Sequence, residues 1–151
     1  MNSLIIYKSV EHKNTEKIAK KINQVLKGDI MSAEEVNTSE LDKYDLIGFG
    51  SGIFYGKFHK SILNLVDQFE NVENKKAFVF STSGQGSKGF NDSLKNKLEK
   101  KGFDVIGSFA CKGFDTFGPF KVFGGLAKGR PNEDDVKAAE NFAAELLKKN
   151  A

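Results

Sequence analysis

Three short stretches of this chain gather groups that could bind and orient a charged, flat ligand. The first is Ser9-Val10-Glu11-His12-Lys13-Asn14-Thr15, which offers the hydroxyls of Ser9 and Thr15, the amide of Asn14, the charge of Lys13 and the imidazole of His12. It follows the apolar run LIIY and precedes the amphipathic pattern EKIAKKINQVL. Backbone N–H groups left unpaired at a helix N-terminus would there complete a cup for phosphate. This first stretch carries neither the Gly-x-x-x-x-Gly-Lys-Ser/Thr nor the Gly-x-Gly-x-x-Gly signature, which favours a monophosphate over a pyrophosphate. The alternative is a plain helix cap by Asn14 or Thr15. The second stretch, Gly50-Ser51-Gly52-Ile53-Phe54-Tyr55-Gly56, sets an apolar and aromatic trio between glycines and suits the face of a flat ring. Either Phe54 or Tyr55 could instead fold back over the core. The third, Ser81-Thr82-Ser83-Gly84-Gln85-Gly86, can hydrogen-bond the polar edge of a heterocycle, although polar turns commonly end strands.

The positions of these stretches follow from the apolar pattern. Strand-length runs at 4–7 (LIIY), 29–33 (DIMSA, weak), 44–50 (YDLIGFG), 75–81 (KKAFVFS) and 103–111 (FDVIGSFAC) alternate with helical periods. A helix from about Thr15 carries Ile18, Ile22, Val25 and Leu26 on one face, with Gly28 expected to end it. A second helix at 58–69 would turn Phe58, Ile62, Leu65, Val66 and Phe69 inward, and a third has a Phe90, Leu94, Leu98 stripe closed by Gly102. The last runs from an acidic turn, Glu133, Asp134 and Asp135, to a basic end, Lys148 and Lys149, as a helix dipole favours. Segment 34–42 lacks an apolar period and reads as a loop or a single irregular turn. The expectation is five parallel strands with four or five crossover helices, in the order 2-1-3-4-5. All three polar stretches then share one edge, beside a crevice between the first and third strands.

At 151 residues the chain is expected to form one domain, 1–151, burying roughly 70% of its unfolded surface. It has no run near the roughly 20 apolar residues of a membrane span and no secretory signal, so a cytoplasmic protein with no membrane partner is expected. The lone Cys111 excludes an internal disulfide and a cysteine metal cluster within the chain, and reads as a small buried hydrophobe in preference to a reactive thiol. No metal site is expected. The 23 Lys and Arg against 20 Asp and Glu leave +3, with lysines scattered along helices, which does not point to nucleic acid.

The ensemble resembles the flavodoxin family over nearly the whole chain. IIYKSVEHKNTEKIAKKI looks like the family's phosphate loop and first helix, DLIGFGSGIFYGKFHKSI like its second flavin loop, and AFVFSTSG like its third. The resemblance implies a short-chain flavodoxin-like three-layer α/β sandwich that binds FMN. The phosphate would sit at Ser9, His12, Lys13, Asn14 and Thr15. The ring would lie between Ser51, Gly52, Ile53, Phe54, Tyr55 and Gly56 on one side and Ser81, Thr82, Ser83, Gly84 and Gln85 on the other. The first loop departs from the family in carrying Glu11, His12 and Lys13 where many members have small residues. The charge departs as well, because electron-shuttling members are generally acidic. Lys57, Lys88 and Lys112 fall near the expected ring edge, which implies a less negative potential for full reduction and acidic redox partners with salt-sensitive association.

The leading expectation is therefore an FMN-dependent electron carrier with no catalytic residues of its own. The runner-up is an FMN-dependent oxidoreductase acting on a quinone or protoporphyrinogen-like substrate, with the long segment 112–132 lining its pocket. A cofactor-free binding module of the same fold is the third reading. Within 112–132, Phe114, Phe117, Phe120 and Phe123 recur every three residues but are broken by Gly and Pro. Their rings are expected under the sheet edge, the alternative being an apolar lid or dimer surface. His59, inside the second helix, is expected at the surface or capping a carbonyl.

Overall fold

The computed structural model describes residues 2–10, 12–115 and 125–150. Apolar β-branched and aromatic runs form β1 (Ser3–Lys8), β2 (Asp29–Ser32), β3 (Leu46–Phe54), β5 (Lys76–Ser83) and β6 (Asp104–Lys112), all parallel, in the order β2-β1-β3-β5-β6. This is the expected order of the five main strands. A two-residue strand the sequence did not suggest, β4 (Lys57–Phe58), pairs antiparallel with the end of β3.

Strand alternation divides the core between two faces. On one, Ile5, Leu46, Phe78 and Phe80 pack with Ile18, Ala19 and Ile22 of α1 (Asn14–Leu26) and Ala139, Ala143 and Leu146 of α4 (Glu133–Asn150). On the other, Leu4, Ile6, Ile47, Phe49 and Val79 meet Ile62, Leu65 and Val66 of α2 (Lys60–Asp67) and Leu94 and Leu98 of α3 (Asp92–Lys101). There Phe49, Phe69 and Phe103 form a mutual edge-to-face cluster with centroids 5.2–6.2 Å apart. On the first face, Gly48 and Gly50 stand opposite Phe78 and Phe80 in the ladder, and a Cβ on either glycine would lie 2.1 Å from the facing ring. The small residues of the central strand are the space in which its neighbour's aromatics lie. Cys111 is buried in this same cluster, and burial pushes its thiol up to about 12, as suits a hydrophobe and not a nucleophile.

Several local expectations change. Segment 34–42 is ordered by two 3₁₀ turns, Ala33–Glu35 and Thr38–Lys43, the first closed by a reciprocal Ser32–Glu35 capping box. Lys27, not Gly28, takes the left-handed conformation after α1. Gly28 is there for room, since a Cβ would lie 2.4 Å from the Ser3 carbonyl oxygen. The second helix is shorter than its apolar pattern, because Phe58 belongs to β4 and Phe69 lies beyond the Gln68 C-cap, yet both rings are buried. Phe90 is in a 3₁₀ turn (Lys88–Asn91) ahead of α3. Within the long segment, Asp115 pairs with Leu126 in an antiparallel bridge, and Phe114 N–H donates to the Arg130 carbonyl at 2.8 Å. Phe117, Phe120 and Phe123 lie outside the described residues.

The approach to α4 is fastened by side chains. Asn132 and Asp135 exchange backbone bonds in a reciprocal cap, and Arg130 donates to both oxygens of Asp135 at 2.5 and 2.6 Å. That guanidinium holds the Asp135 carboxyl below the usual range. Among the described residues no helix is long and apolar enough to cross a membrane, and no group of three or more His, Cys, Asp or Glu could hold a metal ion.

Candidate functional site

Parallel strands send their following loops to the edge where they end, and here that edge opens into a cleft of about 830 Å³ between the N-terminus of α1 and the β3–β4 hairpin. At its polar end, His12 and Lys13 both adopt left-handed backbone (φ 54° and 53°), and α1 starts at Asn14 without a cap from the Lys13 side chain. Ser9 takes over that role, its Oγ accepting from the Glu16 N–H at 3.2 Å. Neither Asn14 nor Thr15 acts as the cap. Their own N–H groups lie in the first turn, where no intrahelical acceptor exists, and both residues line the cleft.

The side chains of those two residues tie the first stretch to the neighbouring ones. Thr15 Oγ1 lies 2.9 Å from Thr82 Oγ1 between two buried hydroxyls. Only one proton lies between them, so the other hydroxyl hydrogen is available to a ligand oxygen. Asn14 Nδ2 donates to the Phe114 carbonyl at 2.8 Å. Gly113 permits that approach, since a Cβ there would meet Asn14 Nδ2 at 2.7 Å. His12 in turn packs its ring on Phe114 at 4.4 Å between centroids.

The apolar wall is a hairpin and not the open turn expected over 50–56. β3 continues to Phe54, so Gly50, Ser51, Gly52 and Ile53 are strand residues, and the reversal is confined to Tyr55 and Gly56. Both carry positive φ (51° and 79°), the pattern of a type I′ two-residue turn, which matches the twist of the flanking strands. Gly52, Ile53, Phe54 and Tyr55 line the cleft, with Tyr55 82% exposed at the tip. Ser51 is spent inside, donating to the Gly52 carbonyl at 2.6 Å and accepting the His59 N–H at 3.0 Å.

The third stretch contributes less than expected, because β5 reaches Ser83 and only Thr82 and Ser83 line the cleft. Ser81 is buried and donates to Asn91 Oδ1 at 2.6 Å. A Cβ on Gly84 would meet Leu126 Cδ2 at 2.4 Å, so the post-β6 segment packs over this turn, and Gln85 is exposed and does not line the cleft. Ser9, Lys13, Gly56, Gly84 and Gln85 are thus near the edge but are not lining residues, while Val10, Phe58, His59, Lys60, Leu63, Gly113, Phe114 and Asp115 line the cleft without having been assigned to it from sequence.

His59 proves to be neither a surface residue nor a carbonyl cap. It is the N-cap of α2, its Nδ1 accepting from the Ser61 N–H at 3.0 Å, with its ring edge-on to Phe54 at 5.5 Å. Burial, then Lys8 and Lys60 against the opposing Glu34, lower its pKa, and because Nδ1 accepts the Ser61 N–H the neutral ring carries its proton on Nε2. Lys8 and Glu34 pair at 2.7 Å beside it, and Lys8 holds the Glu34 carboxyl below its usual range.

A flavodoxin domain profile matches residues 4–113. An uncharacterised protein of Methanocaldococcus jannaschii is 52% identical over 150 residues, covering 98% of this chain and 99% of its own. The flavodoxin-like domain-containing protein BilS of Clostridioides difficile is 30% identical over 149 residues, covering 93% of this chain and 82% of its own. Among solved structures, oxidised flavodoxin 2 of Bacillus cereus superposes with a TM-score of 0.76 at 24% identity, with 99% of each chain covered. Fusobacterium nucleatum flavodoxin bound to flavin mononucleotide superposes at 0.68 and 16% identity, again with 99% of each chain covered. The profile spans most of the chain, and on that ground this protein belongs to the flavodoxin family.

Proposed function

We propose that the cleft binds FMN and that the protein carries electrons to and from redox partner proteins through it. The observation that carries this reading is the juxtaposition, in one cleft, of an α1 N-terminus with open N–H groups and a wall of Ile53, Phe54 and Tyr55. The donor set fits a singly phosphorylated aromatic ligand. Asn14 and Thr15 backbone N–H groups and the spare Thr15–Thr82 hydroxyl hydrogen suit phosphate oxygens, whereas Phe54, Tyr55 and the tilted His12–Phe114 pair suit a flat ring. The fold and family membership support the same reading.

When bound, FMN supplies reversible uptake and release of electrons at its ring. The chain's own residues would then position the ring and limit water. Titrating the protein with FMN and following visible flavin absorbance and quenching of flavin fluorescence tests the reading. Stoichiometric uptake that weakens in Thr15→Val is expected; protein that stays colourless after excess FMN is removed would overturn it.

A further inference from the structure

We infer that His59 takes up a proton when electrons arrive on the bound ring, so that reduction is coupled to the cap of α2; the inference rests on the cofactor reading above. His59 lines the cleft and turns its ring edge-on to Phe54, an aromatic residue of the apolar wall, at 5.5 Å between centroids. Its Nδ1 is 3.0 Å from the Ser61 nitrogen and 2.9 Å from Ser61 Oγ. The bare nitrogen accepts the Ser61 N–H; once protonated it can donate to Ser61 Oγ, because a hydroxyl serves as donor or acceptor. A proton can therefore arrive without leaving Nδ1 unpaired. Its arrival releases the Ser61 N–H, which the neutral imidazole caps.

The charges around the imidazole favour this response. Lys8, at the end of β1, and Glu34, in the Ala33–Glu35 turn, pair with each other at 2.7 Å and offset one another. Lys60 follows on α2, Lys57 lies on the hairpin, and the cleft is lined on other elements by His12 and Asp115. Among the described residues no carboxylate is hydrogen-bonded to His59, whose partners are Ser51 and Ser61. Burial and the two lysines Lys8 and Lys60 thus keep the ring of His59 neutral until negative charge enters the cleft.

With two electrons and one proton added, FMN carries one negative charge more than before. His59 Nδ1 takes a second proton from solvent, so the two electrons given by the redox partner are balanced by one proton on the flavin and one on the imidazole. A unit charge about 10 Å away at an effective dielectric of about 20 raises a pKa by about one unit, a factor of about ten in proton affinity. By reciprocity the protonated imidazole favours the reduced state by the same factor, equal to about 30 mV for a two-electron couple.

The test follows the His59 imidazole by NMR across pH in FMN-loaded protein, first oxidised and then reduced with dithionite. The midpoint is expected below the ordinary histidine value when oxidised and about one unit higher when reduced, with faster amide exchange at Ser61 in the reduced protein at a pH between the two midpoints. Spectroelectrochemistry over the same range should give wild type about 30 mV more pH-dependent shift than His59→Asn, whose amide caps α2 without titrating. The same His59 midpoint in both redox states, or a Ser61 amide equally protected in both, would overturn the inference. So would an equal pH dependence of the potential in His59→Asn, which would put the second proton on the flavin itself. FMN uptake is measured first for each protein, and should His59→Asn not load, the wild-type midpoints decide. Wild type that takes up no FMN overturns the cofactor reading and this inference with it, whereas loaded protein with an unmoved His59 midpoint overturns the inference alone.

Discussion

His59 shows how a single side chain couples an element to the cleft. Its Nδ1 can accept from the Ser61 N–H only while unprotonated, so protonation removes the cap of α2 and sets a charge beside Lys8 and Lys60. The folded pKa lies below the unfolded one. The cap's contribution is therefore fully present above the ordinary histidine pKa of about 6.5 and is lost as pH falls through the lower folded value. Urea unfolding between about pH 7.5 and about pH 5 should show stability declining with acid, and the decline should shrink in His59→Asn, where an amide caps at every pH. An imidazole titration by NMR with a midpoint above the ordinary value would contradict this. Other residues act by economy of the same kind. Ser9 takes the one N–H that would otherwise be capped from within, and leaves those of Asn14 and Thr15 to the cleft.

At the scale of elements, β3 sets most of the geometry. Its glycines accept the rings of β5, its far end folds into the hairpin that walls the cleft, and Ser51 locks the return into α2. Gly50→Ala would place a methyl 2.1 Å from the Phe80 ring, which is fully buried and hemmed by Phe78. Overpacking at such a site costs about 1–3 kcal/mol, read as a lower denaturant midpoint at unchanged m-value. The far side of the cleft depends on a different device. Asn14 and Lys17 donate to the carbonyls of Phe114 and Pro131, so α1 holds the segment that follows β6 against the site.

For the whole molecule the decisive property is where its charge lies. Lys57 and Lys60 line the cleft, so negative charge arriving on the proposed FMN ring would meet little repulsion. The expected consequence is a full-reduction potential less negative than that of strongly acidic flavodoxins, and one that moves to more negative values in Lys57→Glu. Spectroelectrochemical titration of the FMN-loaded protein checks both, and a wild-type potential as low as theirs would refute the argument.

What the sequence determined by itself was the layering and the edge. Alternation of strand-length and helix-length apolar patterns, with right-handed crossovers, leaves little choice of strand order, and the three polar stretches had to emerge together because every parallel strand ends on the same side. Local polarity did not reveal which of their groups face the cleft. Ser51 and Ser81 carry the same hydroxyl as a ligand-binding serine, but only tertiary packing turns them toward His59 and Asn91. The hairpin was hidden because Tyr55-Gly56 falls within a glycine-framed run that reads as loop, and two-residue strands leave no period to detect. Gly113 and Phe114 entered the cleft through contacts spanning far more chain than any local pattern can encode. A pattern of apolar residues specifies faces, whereas a binding site is a set of distances between faces, and those exist only once the sheet has closed on its helices.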